Sequence, residues 1–124
     1  MIKRLRVTVL ADNCVAARDL LAEHGLSMLI EADGRRILFD TGQGKVLRAN
    51  ADALGISLSP LDAVVLSHGH DDHTGGLAGL LREVSPAAIF LHPAALTFSA
   101  TKIVVPSTFD SRHPLNLFFI AIYN

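Results

Sequence analysis

The chain has 124 residues, half of them hydrophobic, which suffices for one domain with its own core. Eleven basic and twelve acidic residues give a net charge of −1, so nothing in the composition favours nucleic-acid binding. No apolar run approaches the ~20 residues of a membrane-spanning helix, and the N-terminus does not fit a signal peptide. One cysteine, Cys14, excludes an intrachain disulfide and indicates a reducing, cytoplasmic setting.

The predicted elements alternate between strands and helices. Strands are predicted over residues 5–10, 26–31, 36–39, 63–66 and 88–91. Helices are predicted over residues 16–22 and 44–54, and from Leu77 onward. Asp33-Gly34 predicts a tight hairpin between the second and third strands, because both residue types tolerate positive φ. This order predicts an α/β fold, a mixed sheet with flanking helices.

The apolar character changes near the C-terminus. Residues 103–105 and 117–123 are apolar and lack the charge expected of a solvated tail. Two interpretations are open for the terminal run. It could be a buried closing strand, or a segment that pairs with another chain.

The residues after the fourth predicted strand carry the most specific signal in the chain. Three histidines and two aspartates lie within six positions, in the order His68, Gly69, His70, Asp71, Asp72, His73. Imidazole and carboxylate are the usual ligands of catalytic zinc, and they also suit iron or manganese. If the chain leaves the strand extended, His68 and His70 point the same way, as alternate residues do. Asp72 and His73 follow where the backbone turns, and two such pairs could hold two metal ions.

A structural alternative exists for the same stretch. It could be a polar turn from strand to helix, with Asp71 or Asp72 as the helix cap. That alternative accounts for one aspartate but leaves three histidines unexplained. The pattern therefore predicts metal binding at the carboxyl end of the strand, where open α/β sheets place their sites.

The stretch from His68 to Gly76 resembles the signature of the metallo-β-lactamase superfamily of metal-dependent hydrolases. Residues 39–42, Phe-Asp-Thr-Gly, are similar to the family's earlier aspartate-and-glycine turn. Residues 10–13 and 23–27 are similar to a narrower subgroup, which contains the methanopterin-pathway dihydropterin–ribofuranosylaminobenzene phosphate synthases. The resemblance is strongest over residues 5–93.

The resemblance implies half of the family's αββα sandwich, so that the chain, residues 1–124, is expected to be a single, truncated domain. It also implies a ligand set. His68 and His70 would bind a first metal ion, and Asp72 and His73 a second, with Asp72 also orienting the attacking water.

Two more aspartates have expected roles. The resemblance implies that Asp40 steadies the site from behind the ligands; the alternative is a turn carboxylate bonded to nearby amides. Asp71 occupies a variable position of the family motif and is not expected to be a ligand.

The chain departs from the family pattern after His73, because no downstream motif supplies the remaining histidines and the bridging aspartate. His92 and His113 each lie beside a proline and are more typical of structural or exposed residues than of ligands. His24, in the subgroup segment, is expected either to approach the metal or substrate, or to be a partly buried structural histidine.

The function implied is that of a metal-dependent hydrolase, with zinc preferred, whose activated water attacks an ester, amide or phosphoester of a small-molecule substrate. Three alternatives stay open: a non-catalytic metal-binding remnant, a pterin-pathway synthase that forms a carbon–nitrogen bond, and an iron-dependent redox enzyme. Half a sandwich would also leave one apolar sheet face without its partner, so a homo-oligomer is expected.

Overall fold

A computed structural model describes residues 1–92, 94 and 95, and the backbone of residues 118–121. The strands are β1 Leu5–Ala11, β2 Ser27–Ala32, β3 Arg35–Phe39, β4 Ala63–Val65, β5 Ala88–Leu91 and β6 Phe118–Ala121. The helices are α1 Leu47–Ala53, α2 Asp71–Thr74 and α3 Leu77–Glu83.

The strands form one six-stranded sheet in the order β1-β2-β3-β4-β5-β6. The pairs β1–β2 and β2–β3 are antiparallel, whereas β3–β4, β4–β5 and β5–β6 are parallel. This mixed sheet with flanking helices confirms the predicted α/β class and corresponds to half of a metallo-β-lactamase sandwich. Part of the apolar run 117–123 is therefore a strand, while residues 103–105 and His113 lie outside the described residues.

The hairpin between β2 and β3 forms where the sequence predicts it. Asp33 and Gly34 have φ values of +47° and +86°, as both central residues of a type I′ turn require. Asp33 also accepts hydrogen bonds from the backbone N–H groups of Lys3 and Arg4. The turn thus sets the register of β2 and β3 and fastens the start of β1.

The core lies between one face of the sheet and the helices α1 and α3. Its sheet residues include Leu10, Leu29, Leu38, Val64 and Ile89, each at most 2% exposed. Leu47 and Ala51 of α1 and Leu77 and Leu80 of α3 cover them. Both predicted helices form, although α1 is shorter than the predicted range 44–54 and Leu54 at its end is exposed.

A glycine follows the end of helix α1. Gly55 has a φ of +66°, and its N–H donates to the carbonyl of Asp52, while the N–H of Ile56 donates to that of Ala51. This pair of bonds is a Schellman motif, which satisfies the last helical carbonyls. None of the helices in the described part of the chain is long and apolar enough to cross a membrane.

The opposite face of the sheet is also apolar. One row of neighbours across five strands consists of Val9, Met28, Phe39, Val65 and Phe90. On β1, Leu5, Val7 and Val9 are 59%, 50% and 48% exposed. We use the name outer face for this row of five side chains together with Leu5 and Val7.

The predicted helix over residues 16–22 is wrong, because this stretch is irregular. Asp19 has a φ of +68°, which no α-helix accommodates. The buried side chain of Asn50 accepts from the N–H of Leu21 and donates to its carbonyl, so both backbone groups are used by α1. Tertiary hydrogen bonds have replaced the local helical ones.

Candidate metal centre

Three parallel strands end at the same edge of the sheet, and each is followed by a polar side chain. Asp40 follows β3, Ser67 follows β4 by two residues, and His92 follows β5. Because β3, β4 and β5 are parallel neighbours, their carboxyl ends lie side by side. The metal motif begins at this edge, in the position where open α/β sheets place their sites.

The motif enters a short helix. His70 is the N-cap of α2, and its side chain makes no capping hydrogen bond. Asp71 and Asp72 lie in the first turn, where negative charge suits the helix dipole, but neither is the cap. The capping explanation for these aspartates is therefore wrong.

Three of the four predicted ligands converge. Potential ligand atoms of His68, Asp72 and His73 all lie within 4.8 Å of one another. Nε2 of His73 is 3.5 Å from Oδ2 of Asp72, and the rings of His68 and His73 have centroids 4.1 Å apart. His70 is exposed and lies outside this group, although its ring is 4.6 Å from that of His68.

Asp40 lies directly behind this cluster and is fully buried. Its Oδ2 is 2.8 Å from Nδ1 of His73, and its Oδ1 accepts from the N–H of Ser67 at 2.7 Å. With Nδ1 donating to a carboxylate, His73 keeps its lone pair on Nε2, the nitrogen that faces Asp72. Both expected descriptions of Asp40 apply, since the same carboxylate contacts a histidine of the motif and a backbone amide.

Ser67 was not singled out from the sequence, yet it joins Asp40 to a second histidine. Its hydroxyl donates to Oδ2 of Asp40 at 2.6 Å, and its Oγ is 2.9 Å from Nδ1 of His68. The hydroxyl has one proton, and it is used in the hydrogen bond to Asp40. Nδ1–H of His68 is therefore the donor in the contact with Ser67 Oγ. His68, like His73, is left with its lone pair on Nε2. A hydroxyl residue directly before the first histidine is the signal for this role.

Backbone contacts hold α2 against two loops. Thr41 donates to the carbonyl of His73 through both its N–H and its Oγ1, at 2.8 and 3.0 Å. The N–H of Leu26 donates to the carbonyl of Asp72 at 3.3 Å. Gly25, with a φ of +144°, packs so closely on the Asp72 carbonyl that a Cβ there would collide with it. The orientation of Asp72 and His73 thus depends on the loops before β2 and after β3.

The packing of Gly25 on the Asp72 carbonyl brings the neighbouring His24 close to the cluster. Its Nε2 is 3.3 Å from Oδ2 of Asp72, and its side chain is 73% exposed. Of the two expectations, the structure favours approach to the site, because the side chain is not buried. The neighbouring Glu23 is buried and accepts from the backbone N–H groups of Gln43 and Lys45, which fastens this loop to the one after β3.

The residues present fit a divalent metal ion. Two imidazole nitrogens and one carboxylate oxygen form the donor set found in catalytic zinc sites. Both imidazoles have their other nitrogen fixed by a hydrogen bond, as metal-binding histidines usually do. The three side chains are neither buried nor fully exposed, so an ion and a substrate could reach them.

Comparison with known proteins places the chain among related sequences and structures. The family model of the metallo-beta-lactamase superfamily matches residues 21–118. The crystal structure of Tm1679, described as a metal-dependent hydrolase of the beta-lactamase superfamily, superimposes with a TM-score of 0.58 at 38% sequence identity. The match covers 75% of this chain and 32% of Tm1679.

Two curated relatives have different activities. The 7,8-dihydropterin-6-methyl-4-(beta-D-ribofuranosyl)-aminobenzene-5'-phosphate synthase of Methanocaldococcus jannaschii is 42% identical over 78 residues, 58% of this chain and 26% of the synthase. Ribonuclease Z of Aeropyrum pernix is 32% identical over 82 residues, 66% of this chain and 26% of the ribonuclease. The chain thus spans about a quarter of the length of these two relatives. Because the family model matches well over half of its residues, the chain belongs to the metallo-β-lactamase superfamily.

Proposed function

We propose that this chain carries the metal-binding half of a hydrolase that acts on an ester, amide or phosphoester of a small-molecule substrate. The observation that supports this most directly is the convergence of His68, Asp72 and His73, with ligand atoms within 4.8 Å of one another. Hydrogen bonds orient both imidazoles, as a preorganised metal site requires.

In this proposal the metal is zinc, held by His68, Asp72 and His73. The exposed His70, which lies outside this group, is available for a second ion. Zinc, when bound, supplies the positive charge that activates water and polarises the bond under attack. Iron and manganese accept the same nitrogen and oxygen donors, so metal analysis belongs in any test.

The protein's own residues do the positioning. Asp72 holds the nucleophilic water by accepting a hydrogen bond from it, which is the task of a general base at this place. Asp40 and Ser67 keep His68 and His73 in the tautomers that leave Nε2 free.

For location, we propose a reducing compartment, because the only cysteine, Cys14, is an exposed free thiol.

A second candidate is a synthase that forms a carbon–nitrogen bond on a pterin. The identity of 42% over 78 residues with the Methanocaldococcus jannaschii synthase favours it. The two candidates share the metal site and differ in substrate. Parallel assays with a dihydropterin and an aminobenzene ribofuranosyl phosphate acceptor, and with simple esters, separate them.

Metal binding is tested first. The purified chain is loaded with zinc and its metal content is measured by elemental analysis, alongside the double variant His68→Ala/His73→Ala. We expect the double variant to lose most of its zinc, while Asp71→Asn keeps it. Unchanged zinc in the double variant would refute the site.

Chemistry is tested next on phosphodiester, lactone and thioester substrates. Asp72→Asn should reduce turnover much more than it alters folding, because it keeps the shape of the side chain and removes its charge. Asp71→Asn is the matched control and should have little effect. Zinc binding without turnover on any substrate would favour a non-catalytic metal-binding module instead.

A further inference from the structure

His92 lies beside the metal motif, although nothing in the family pattern marks it. It follows β5 at the same edge of the sheet as Asp40 and Ser67. A cavity of about 300 Å³ separates it from the motif loop. Among the described residues, the cavity is lined by Ser67, His68, Gly69, His70, His92, Ala94 and Ala95.

The turn that carries His92 packs directly on the motif loop. A Cβ on Gly69 would lie 2.7 Å from the carbonyl oxygen of Ala95 and 2.8 Å from its Cα, so only glycine permits this approach. Ala95 is 4% exposed, and its N–H donates to the carbonyl of His92 at 2.9 Å. The packing of Ala95 on Gly69 thus holds the turn that begins at His92 against the motif loop.

The hydrogen bond that His92 makes determines its tautomer. Its Nδ1 accepts from the backbone N–H of Ala94 at 3.1 Å. A neutral imidazole that accepts at Nδ1 carries its proton on Nε2. His68 and His73 have the opposite arrangement, because their Nδ1 atoms donate to Ser67 and Asp40. His92 therefore has a donor at Nε2, whereas His68 and His73 have lone pairs there; of these three histidines, His68 and His92 line the cavity.

We propose that His92 is a substrate-binding residue, whose Nε2–H donates a hydrogen bond to an acceptor oxygen of the substrate in the cavity beside His68 and His70. A protonated Nε2 cannot ligate a metal, so His92 is not a further ligand beside His68, Asp72 and His73. A phosphoryl oxygen and a carboxylate oxygen share the chemistry that this donor recognises. The inference rests on the proposed function for its substrate, but its tautomer and binding can be measured without turnover.

The tautomer is tested by long-range ¹H–¹⁵N NMR on the zinc-loaded chain, with His92→Ala to assign the signals. We expect His92 to show a protonated Nε2 and an unprotonated Nδ1. A proton on Nδ1, or a zinc-bound Nε2, would overturn the proposal.

Binding is tested by calorimetry on the zinc-loaded chain, with inorganic phosphate and acetate as separate probes. Whichever anion binds identifies the class of oxygen, and we expect His92→Ala to weaken it roughly three- to tenfold, the value of one hydrogen bond. His92→Gln, which keeps an N–H donor, should recover part of the affinity, and zinc content should be the same in all three proteins.

The contrary results are distinct. Equal anion affinity in the native protein and His92→Ala, or no anion binding by either, would overturn the proposal. Loss of zinc in His92→Ala would mean that His92 is a ligand and would overturn it as well. Absence of turnover alone would count against the proposed hydrolase and not against the role of His92.

Discussion

Oδ2 of Asp40 lies 2.8 Å from Nδ1 of His73, and the same oxygen accepts the hydroxyl proton of Ser67. Through Ser67 the carboxylate also reaches Nδ1 of His68. One buried aspartate thus orients two histidines, His73 in α2 and His68 in the loop before it.

Asp40→Asn should weaken zinc binding about 10- to 100-fold, the usual cost of losing a residue that orients a metal ligand. The amide is neutral, and if its oxygen takes the place of Oδ2 toward His73 and the Ser67 hydroxyl, its NH2 group faces the backbone N–H of Ser67, which needs an acceptor. Zinc affinity is measured by competition with a chromogenic chelator, and Asp71→Asn is the control. Native affinity in Asp40→Asn would mean that His73 needs no partner.

Ser67→Ala should also weaken zinc binding, because Nδ1 of His68 loses the oxygen that fixes its tautomer. Ser67→Thr keeps a hydroxyl and should recover most of the affinity. The same chelator titration measures both variants. If Ala and Thr behave alike, the hydroxyl has no part in orienting His68.

The sequence predicted the first five strands well, because their signals are local. Alternation of polarity follows from the two-residue repeat of a strand, and Asp33-Gly34 meets the backbone demands of its turn. The predicted helix over residues 16–22 is wrong because the side chain of Asn50, 29 residues from Leu21, hydrogen-bonds the backbone groups of Leu21 that a helix would use. No local pattern contains that information.

The sequence indicates a structural or exposed residue at His92, and the proposed substrate-binding role was not predicted from it. His92 directly follows the predicted strand 88–91, as Asp40 directly follows the predicted strand 36–39. Its distance from the motif, however, depends on the packing of Gly69 against Ala95. The contact of His24 with Asp72 likewise depends on the left-handed backbone of Gly25.

Two glycines near α3 should respond in opposite ways to alanine. A Cβ on Gly76 would collide with the carbonyl of Thr41 and lie 3.1 Å from Cα of Gly44, so Gly76→Ala should destabilise the fold by about 1–3 kcal/mol. Gly79, inside α3, has open space around it, and Gly79→Ala should stabilise the fold by about 0.5–1 kcal/mol. Urea unfolding gives both values. Equal effects would contradict the close packing of Gly76.

Asp62 should make stability depend on acid pH. The backbone N–H of Arg36, and next the side chain of Arg35, hold the pKa of Asp62 below its ordinary value of 3.8. A lowered pKa contributes stability above the unfolded value, and that contribution is lost as pH falls through the folded one. Asp62→Asn should therefore be less stable than the native protein at neutral pH, and the difference should vanish in acid.

Unfolding in urea at several pH values measures this difference. Glu83→Gln, which removes an exposed carboxylate bonded to Arg48, is the control and should change stability little. A constant difference between native protein and Asp62→Asn at every pH would contradict the role of the charge.

The outer face leads to the last prediction, that the chain self-associates. Leu5, Val7 and Val9 are about half exposed on β1, and Val9 begins the apolar row that runs to Phe90. Burial of apolar surface contributes roughly 25 cal/mol per Å², so two copies gain by placing these faces together. Association should therefore increase with protein concentration.

Light scattering over a range of concentrations measures the association. The double variant Val7→Lys/Val9→Lys places two charges on the outer face and should shift the chain toward monomer. Leu21→Lys is the matched control, because Leu21 is 55% exposed but lies in the loop between β1 and β2 and is not part of the outer face. If the native chain is monomeric at every concentration, or if all three proteins associate alike, the outer face is not the surface of contact.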